Sequence, residues 1–181
     1  MKAKKYWIVI IFLSACIIGV CLGRTEKQTL TGINTVHVRF IKSKDIKDIP
    51  ITKTLMTQLQ TDVELKLRKV GLNVQDTSSS SLDIYLTPLS VVGKESGFAY
   101  GYACGVYVGL YEFVTISRNN KTTFAYTWHR NFIFFSPPDK FEFHTMTRST
   151  VSDLVDTFIN DYLAANPLTK DKKPKAEQSN N

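Results

Sequence analysis

Along residues 100–116, Tyr100, Tyr102, Cys104, Val106, Val108, Leu110, Val114 and Ile116 hold to even positions. A period of two puts these side chains on one face of a β-strand. After a polar break, Arg118-Asn119-Asn120-Lys121, the same period returns in Phe124, Tyr126, Trp128, Phe132 and Phe134. Adjacent asparagines tolerate the positive φ of a tight connection, so the two runs predict a long β-hairpin. Upstream, Val36, Val38 and Phe40 alternate with His37 and Arg39 and predict a first strand. The period then changes: Ile51, Leu55, Leu59, Val63, Leu67 and Val70 recur every three to four residues, one stripe of an amphipathic helix that Gly71 is placed to close. Leu72 to Val74 begins a second strand, and Leu82, Ile84 and Leu86 give a third, which Pro88 marks as an edge strand or a bend. After Ser136-Pro137-Pro138-Asp139 stops the sheet, Val151, Leu154, Val155, Phe158, Ile159, Tyr162 and Leu163 predict a last helix, with Asp153, Asp156 and Asp161 on its solvated side. The expected order is β-α-β-β-β-β-α. This is an α+β fold, an antiparallel or mixed sheet of four to five strands with two helices on one face.

Gly93, Gly97, Gly101, Gly105 and Gly109 recur at spacing four. In an apolar run this is also the pattern of packed membrane helices, but the uncharged stretch 96–111 is shorter than a span and its tyrosines favour a strand. On a strand the glycines share one face, where bare backbone lets another element approach closely or lets the strand bend. Tyr107, Tyr111 and Phe113 fall on that face and are the candidate interaction residues. They are anchors if the helices cover the other face and ordinary core if they cover this one.

Three lysines precede an uncharged apolar run at residues 6–23, the pattern of an export leader. Leu13-Ser14-Ala15-Cys16 matches a bacterial lipobox, which makes Cys16 the lipidation candidate. The apolar residues that follow it leave two other readings open, cleavage after Gly23 or a retained anchor. The expected domains are a leader at 1–23, a linker at 24–33, one α+β domain at 34–167 and a disordered basic tail at 168–181. Of the net charge of +7, the leader holds +3 and the tail +2, leaving +2 for the domain. With no basic block on the folded part, nucleic acid is not an expected partner.

Catalytic chemistry finds little support. His37, His129 and His144 lack metal-ligand spacing, and Cys104, the one cysteine beyond the leader, reads as a buried inert thiol. Ser78 to Ser81 has no base set beside it, and the glycines do not form a phosphate-binding loop. No catalytic residue, metal or cofactor is expected.

The stretch Leu154-Val155-Asp156-Thr157-Phe158-Ile159-Asn160-Asp161-Tyr162-Leu163, closing in Asn166-Pro167, resembles the ending of a group of small exported bacterial proteins, lipoprotein-like and mostly described as hypothetical. Leu67-Arg68-Lys69-Val70-Gly71-Leu72 and the pair Thr127-Trp128 are similar to that group too, and the resemblance covers most of residues 34–167. The glycine run and the basic tail depart from its pattern. The resemblance implies a cell-envelope protein and brings no catalytic residues. The expected function is therefore non-enzymatic: a periplasmic or membrane-tethered protein that binds an envelope protein or membrane component. A periplasmic small-molecule binding domain, with its pocket between the glycine strand and a helix, is the alternative, and an uncatalogued hydrolase a minor one.

Overall fold

The structure is a computed structural model that describes residues 26–42, 51–92 and 99–167. The leader with Cys16, the glycines Gly93 and Gly97, and the expected tail lie outside the described residues. The elements follow the expected order: β1 (Thr35–Lys42), α1 (Lys53–Lys69), β2 (Asn73–Val74), β3 (Ser81–Val92), β4 (Ala99–Ile116), β5 (Lys121–Ser136) and α2 (Lys140–Ala165). The five strands form one mixed sheet in the order β2-β1-β3-β4-β5. β1 runs parallel to β2 and β3, and the β3-β4-β5 meander is antiparallel. The stretch 96–111 expected as strand rather than membrane helix lies mostly in β4.

Local chemistry sets the element ends. Thr52 caps α1 by accepting the Leu55 amide at 3.1 Å. At the other end Gly71 takes φ +87°, and the Leu72 and Gly71 amides reach back to the Leu67 and Arg68 carbonyls, a Schellman closure. Asp139 caps α2 through the Glu142 amide. The helix begins eleven residues before the apolar stripe that predicts it, because its first turns bury Phe143, Thr147 and Thr150, and threonine hides a buried face from a hydrophobicity pattern. In the four-residue hairpin loop, Asn120 alone takes a positive φ, +53°. Pro88 lies in β3 just past Leu86, the last residue that β1 pairs, so among the described residues β3 is paired on both sides up to that point and on one side beyond it.

Both helices pack on one face of the sheet, α1 over β1 and β2 and α2 over β4 and β5. Between the layers lie Val36, Val38, Leu82, Ile84, Leu86, Cys104, Val106, Val108, Leu110, Trp128 and Phe134, met by Leu55, Leu59, Val63, Phe143, Val155 and Phe158. The period in β5 does not hold to one face. Leu110 pairs with Trp128 but Tyr111 pairs with Tyr126, so Thr127 is an unpaired bulge residue. Trp128 and Phe134 therefore point into the core, while Phe124 and Tyr126, expected on the same face, point the other way.

Trp128 is fully buried, and its indole N–H donates to Asp161 at 3.1 Å. Asp161, expected on solvated surface, is itself buried and accepts Lys27 at 2.8 Å and Arg130 at 3.4 Å. Residues 26–33, expected as a linker, belong to this packing. Leu30 is fully buried, Glu26 pairs with Arg130 at 2.7 Å, and the Asn166 amide bridges Gly32 N and Leu30 O. A polar composition concealed the segment, because Leu30 and Ile33 are its only two large apolar residues and stand among Gln, Thr and Gly.

Burial pushes the Asp161 carboxyl up, but hydrogen bonds from Lys27 and Trp128 and the charges of Lys27 and Arg130 outweigh it and hold it below its usual range. On acidification the unfolded chain then takes the proton first. The stabilisation is complete above about pH 4, the ordinary Asp range, and is lost as pH falls through the lower folded value. Asp161→Ala should cost about 2 kcal/mol at neutral pH by leaving the indole N–H buried and unpaired. In urea denaturation from pH 7 to pH 2, the variant's midpoint should decline less steeply than the parent's.

The glycines of β4 make a second test. A Cβ on Gly101 would lie 2.3 Å from the Ser136 carbonyl oxygen and 2.4 Å from a Phe135 ring carbon, whereas one on Gly105 would find nothing closer than Thr87 Cβ at 3.8 Å. Gly101→Ala should therefore lose about 2 kcal/mol through overpacking, with Gly105→Ala near neutral in the same denaturation assay.

Candidate functional site

The glycine face is the face that neither helix covers. It carries Ser81, Asp83 and Tyr85 of β3, Arg39 of β1, Gly105, Tyr107, Gly109, Tyr111 and Phe113 of β4, and Phe124, Tyr126, His129, Ile133 and Phe135 of β5. Period two along each strand brings these residues together, and the Thr127 bulge adds Phe124 and Tyr126. Tyr107, Tyr111 and Phe113 do share this open face.

At its centre Asp83 is completely buried. Arg39, its cross-strand partner on β1, donates through Nε at 2.7 Å and through a terminal nitrogen at 2.6 Å. Ser81 Oγ donates to Oδ1 at 2.8 Å and Tyr126 Oη to Oδ2 at 3.0 Å, while the Tyr85 and Tyr126 hydroxyls lie 2.9 Å apart. Desolvation of a carboxylate is offset only when several donors meet it, and here they come from three strands. Burial, reinforced by the hydrogen bonds with Tyr85 and Asp83, pushes the Tyr126 phenol far above its usual range, so it stays protonated and donates.

The cover over Asp83 is aromatic. Gly109 sits beside Asp83 in the register, and a Cβ there would come within 2.7 Å of ring carbons of both Tyr107 and Tyr126. The absent side chain is what lets these rings fold across the sheet. Tyr107 stacks on His129 with centroids 5.6 Å apart, and Arg39 lies over the Tyr111 ring at 5.7 Å.

Beyond Ser81, which pairs with Tyr111, β3 ends, so residues 112–116 and 121–125 pair only with each other and form a two-stranded arm. On it Phe113 and Phe124 pack with centroids 3.7 Å apart, Tyr111 stacks on Phe124 at 5.1 Å, and the two phenylalanines remain 55% and 45% exposed.

Other candidates fall elsewhere. His37 and His129 lie on the open face, His129 exposed and His37 half-buried. His129 and Trp128, adjacent on β5, point to opposite sides of the sheet. Ser81 is buried at the start of β3 and not in a solvated loop. Cys104 is fully buried on the helix side, and desolvation pushes its thiol up to about 11, which keeps it protonated and unreactive. Among the described residues no three His, Cys, Asp or Glu side chains gather as a metal site. Among the described residues the glycines of β4 face away from both helices, so the glycine side of the strand and the helices enclose no common pocket there. The grooves run elsewhere; one of about 310 Å³ between the helices is lined by Leu59, Asp62, Lys66, Arg148 and Val151. No described helix is long and apolar enough to cross a membrane.

The Asp83 centre was not foreseen. Its signal was a lone acid between Leu82 and Ile84 in an otherwise apolar strand, with Arg39 in the first strand. Arg39→Ala should destabilise by about 3 kcal/mol, since it strands a buried carboxylate, and Tyr126→Phe by about 1 kcal/mol through one lost hydrogen bond. Guanidinium denaturation would rank the two.

Compared with family models and with curated proteins, the chain gives no match. Among solved structures it is similar to a minor lipoprotein from Acinetobacter baumannii, at 11% identity and TM-score 0.37, over 74% of this chain and 95% of that one. It is similar to the rare lipoprotein B from Shewanella oneidensis at 14% identity and TM-score 0.34, over 72% and 95%. A hypothetical protein from Chlamydia trachomatis aligns at 8% identity and TM-score 0.45, over 72% and 98%. At these scores the likenesses carry nothing about activity or partner.

Proposed function

We propose that this chain is a non-enzymatic protein of the bacterial cell envelope, exported by its leader, that binds another envelope protein through the open aromatic face of its sheet. The observation that carries this reading is the arm: Tyr111, Phe113 and Phe124 form a contiguous aromatic surface that neither helix nor a third strand covers. Aromatic side chains carry large apolar area at little entropic cost and so dominate binding energies. The Asp83 network beneath holds the neighbouring rings in place, so the surface is ordered before a partner arrives, which lowers the cost of binding.

A Phe113→Ser, Phe124→Ser double variant tests the reading. In photo-crosslinking and affinity capture from the native host's envelope, the parent should retain a specific partner, and the variant should bind it at least about thirtyfold more weakly, the equivalent of about 2 kcal/mol. Circular dichroism and the denaturation midpoint should stay close to the parent's. Undiminished capture by a folded variant would overturn the reading, and a collapsed midpoint would show the pair to be core.

A further inference from the structure

We propose that the outer edge of β5 at residues 131–136 is a self-pairing edge, occupied by the same edge of a second copy of this chain. Among the described residues β4 is the one strand that pairs with β5. Its outer side is covered near the bulge, where Thr29 Oγ1 donates to the Thr127 carbonyl and Glu26 pairs with Arg130. Past Arg130 no strand among the described residues pairs with it. There the sequence reads Asn131-Phe132-Ile133-Phe134-Phe135-Ser136, with no charge and no proline before Pro137. Both faces of the strand are apolar at its margin: Phe132 is 55% exposed on the helix side, Ile133 and Phe135 are 77% and 55% exposed on the open side.

Solitary edge strands are guarded by lysines, prolines, bulges or shortness. This one uses its bulge and its covering segment at 127–130, and no strand among the described residues pairs with the following six. What fits that stretch is an extended, uncharged strand with apolar side chains alternating to both sides. The stretch itself meets that description. An antiparallel two-fold through Ile133 sets Ile133 against Ile133, Phe132 against Phe134, Asn131 against Phe135 and Arg130 against Ser136. No like charges face each other, and exposed rings gain cross-strand partners on both sides of the sheet. A contact made by one patch against itself closes as a dimer and does not propagate into a fibre. The two sheets would run on as one of ten strands. The aromatic arm lies at the other end of β5 and stays free, so this inference stands independently of the proposed function.

The test uses the full-length chain purified from its native host. Paired residues across antiparallel strands bring their Cα atoms to about 4.5–5.5 Å, within disulfide reach. Under mild oxidation Ile133→Cys should form a reducible species of twice the monomer mass, which neither the parent nor Thr123→Cys on the arm forms. Ile133→Lys, at a site exposed enough to accept the change, should halve the mass of the parent measured by light scattering, with circular dichroism unchanged. A monomeric parent would overturn the proposal. So would a dimer that survives Ile133→Lys, or an Ile133→Cys cross-link to another protein or within one chain.

Discussion

One unpaired residue, Thr127, lets neighbouring aromatic side chains of β5 serve opposite faces of the sheet. Without the bulge, Tyr126 and Trp128 would alternate in step and point the same way. With it, Trp128 enters the core and ties α2 and residues 26–30 together through Asp161, while Tyr126 turns outward and completes the donors around Asp83. The Thr127 carbonyl also accepts from Thr29, which helps to hold the chain's first described residues across the β5 edge. Core, edge and open face are thus set by a single change of register.

Two buried carboxylates lie on the two sides of the sheet, and each works as a junction. Asp161 on α2 gathers donors from the segment before β1 and from β5. Asp83 gathers them from β1, β3 and β5. A buried carboxylate with several donors adds little net stability relative to an apolar replacement, but it penalises any pairing that removes one donor. In a sheet whose strands are rich in interchangeable Val, Leu and Tyr, that penalty discriminates between registers. The glycines complete the arrangement: at Gly109 the missing side chain admits the rings of Tyr107 and Tyr126 that shield Asp83.

The open face and the β5 edge are separate surfaces with separate physics. The arm offers packed rings on one face of a two-stranded ribbon. The edge offers unpaired backbone groups flanked by Phe132, Ile133 and Phe135. Docking against the first would rely on apolar area and shape, and docking against the second on strand-to-strand hydrogen bonds with side chains following the pleat.

The residue pattern by itself determined the element order, the closure of α1 at Gly71, the long β4-β5 hairpin, the buried state of Cys104 and the sharing of one face by Tyr107, Tyr111 and Phe113. All of these follow from interactions a few residues apart, or from a period that runs unbroken along one strand. Only the tertiary structure decided which face the helices cover, because a strand with aromatic residues on one side and aliphatic ones on the other suits either arrangement. It alone revealed the bulge, which depends on the partner strand, and so the true sides of Phe124 and Tyr126. It also moved Asp161 from solvent to core and joined Arg39 to Asp83 across 44 positions. A charged residue's burial depends on donors supplied from distant parts of the chain, and no local window contains them.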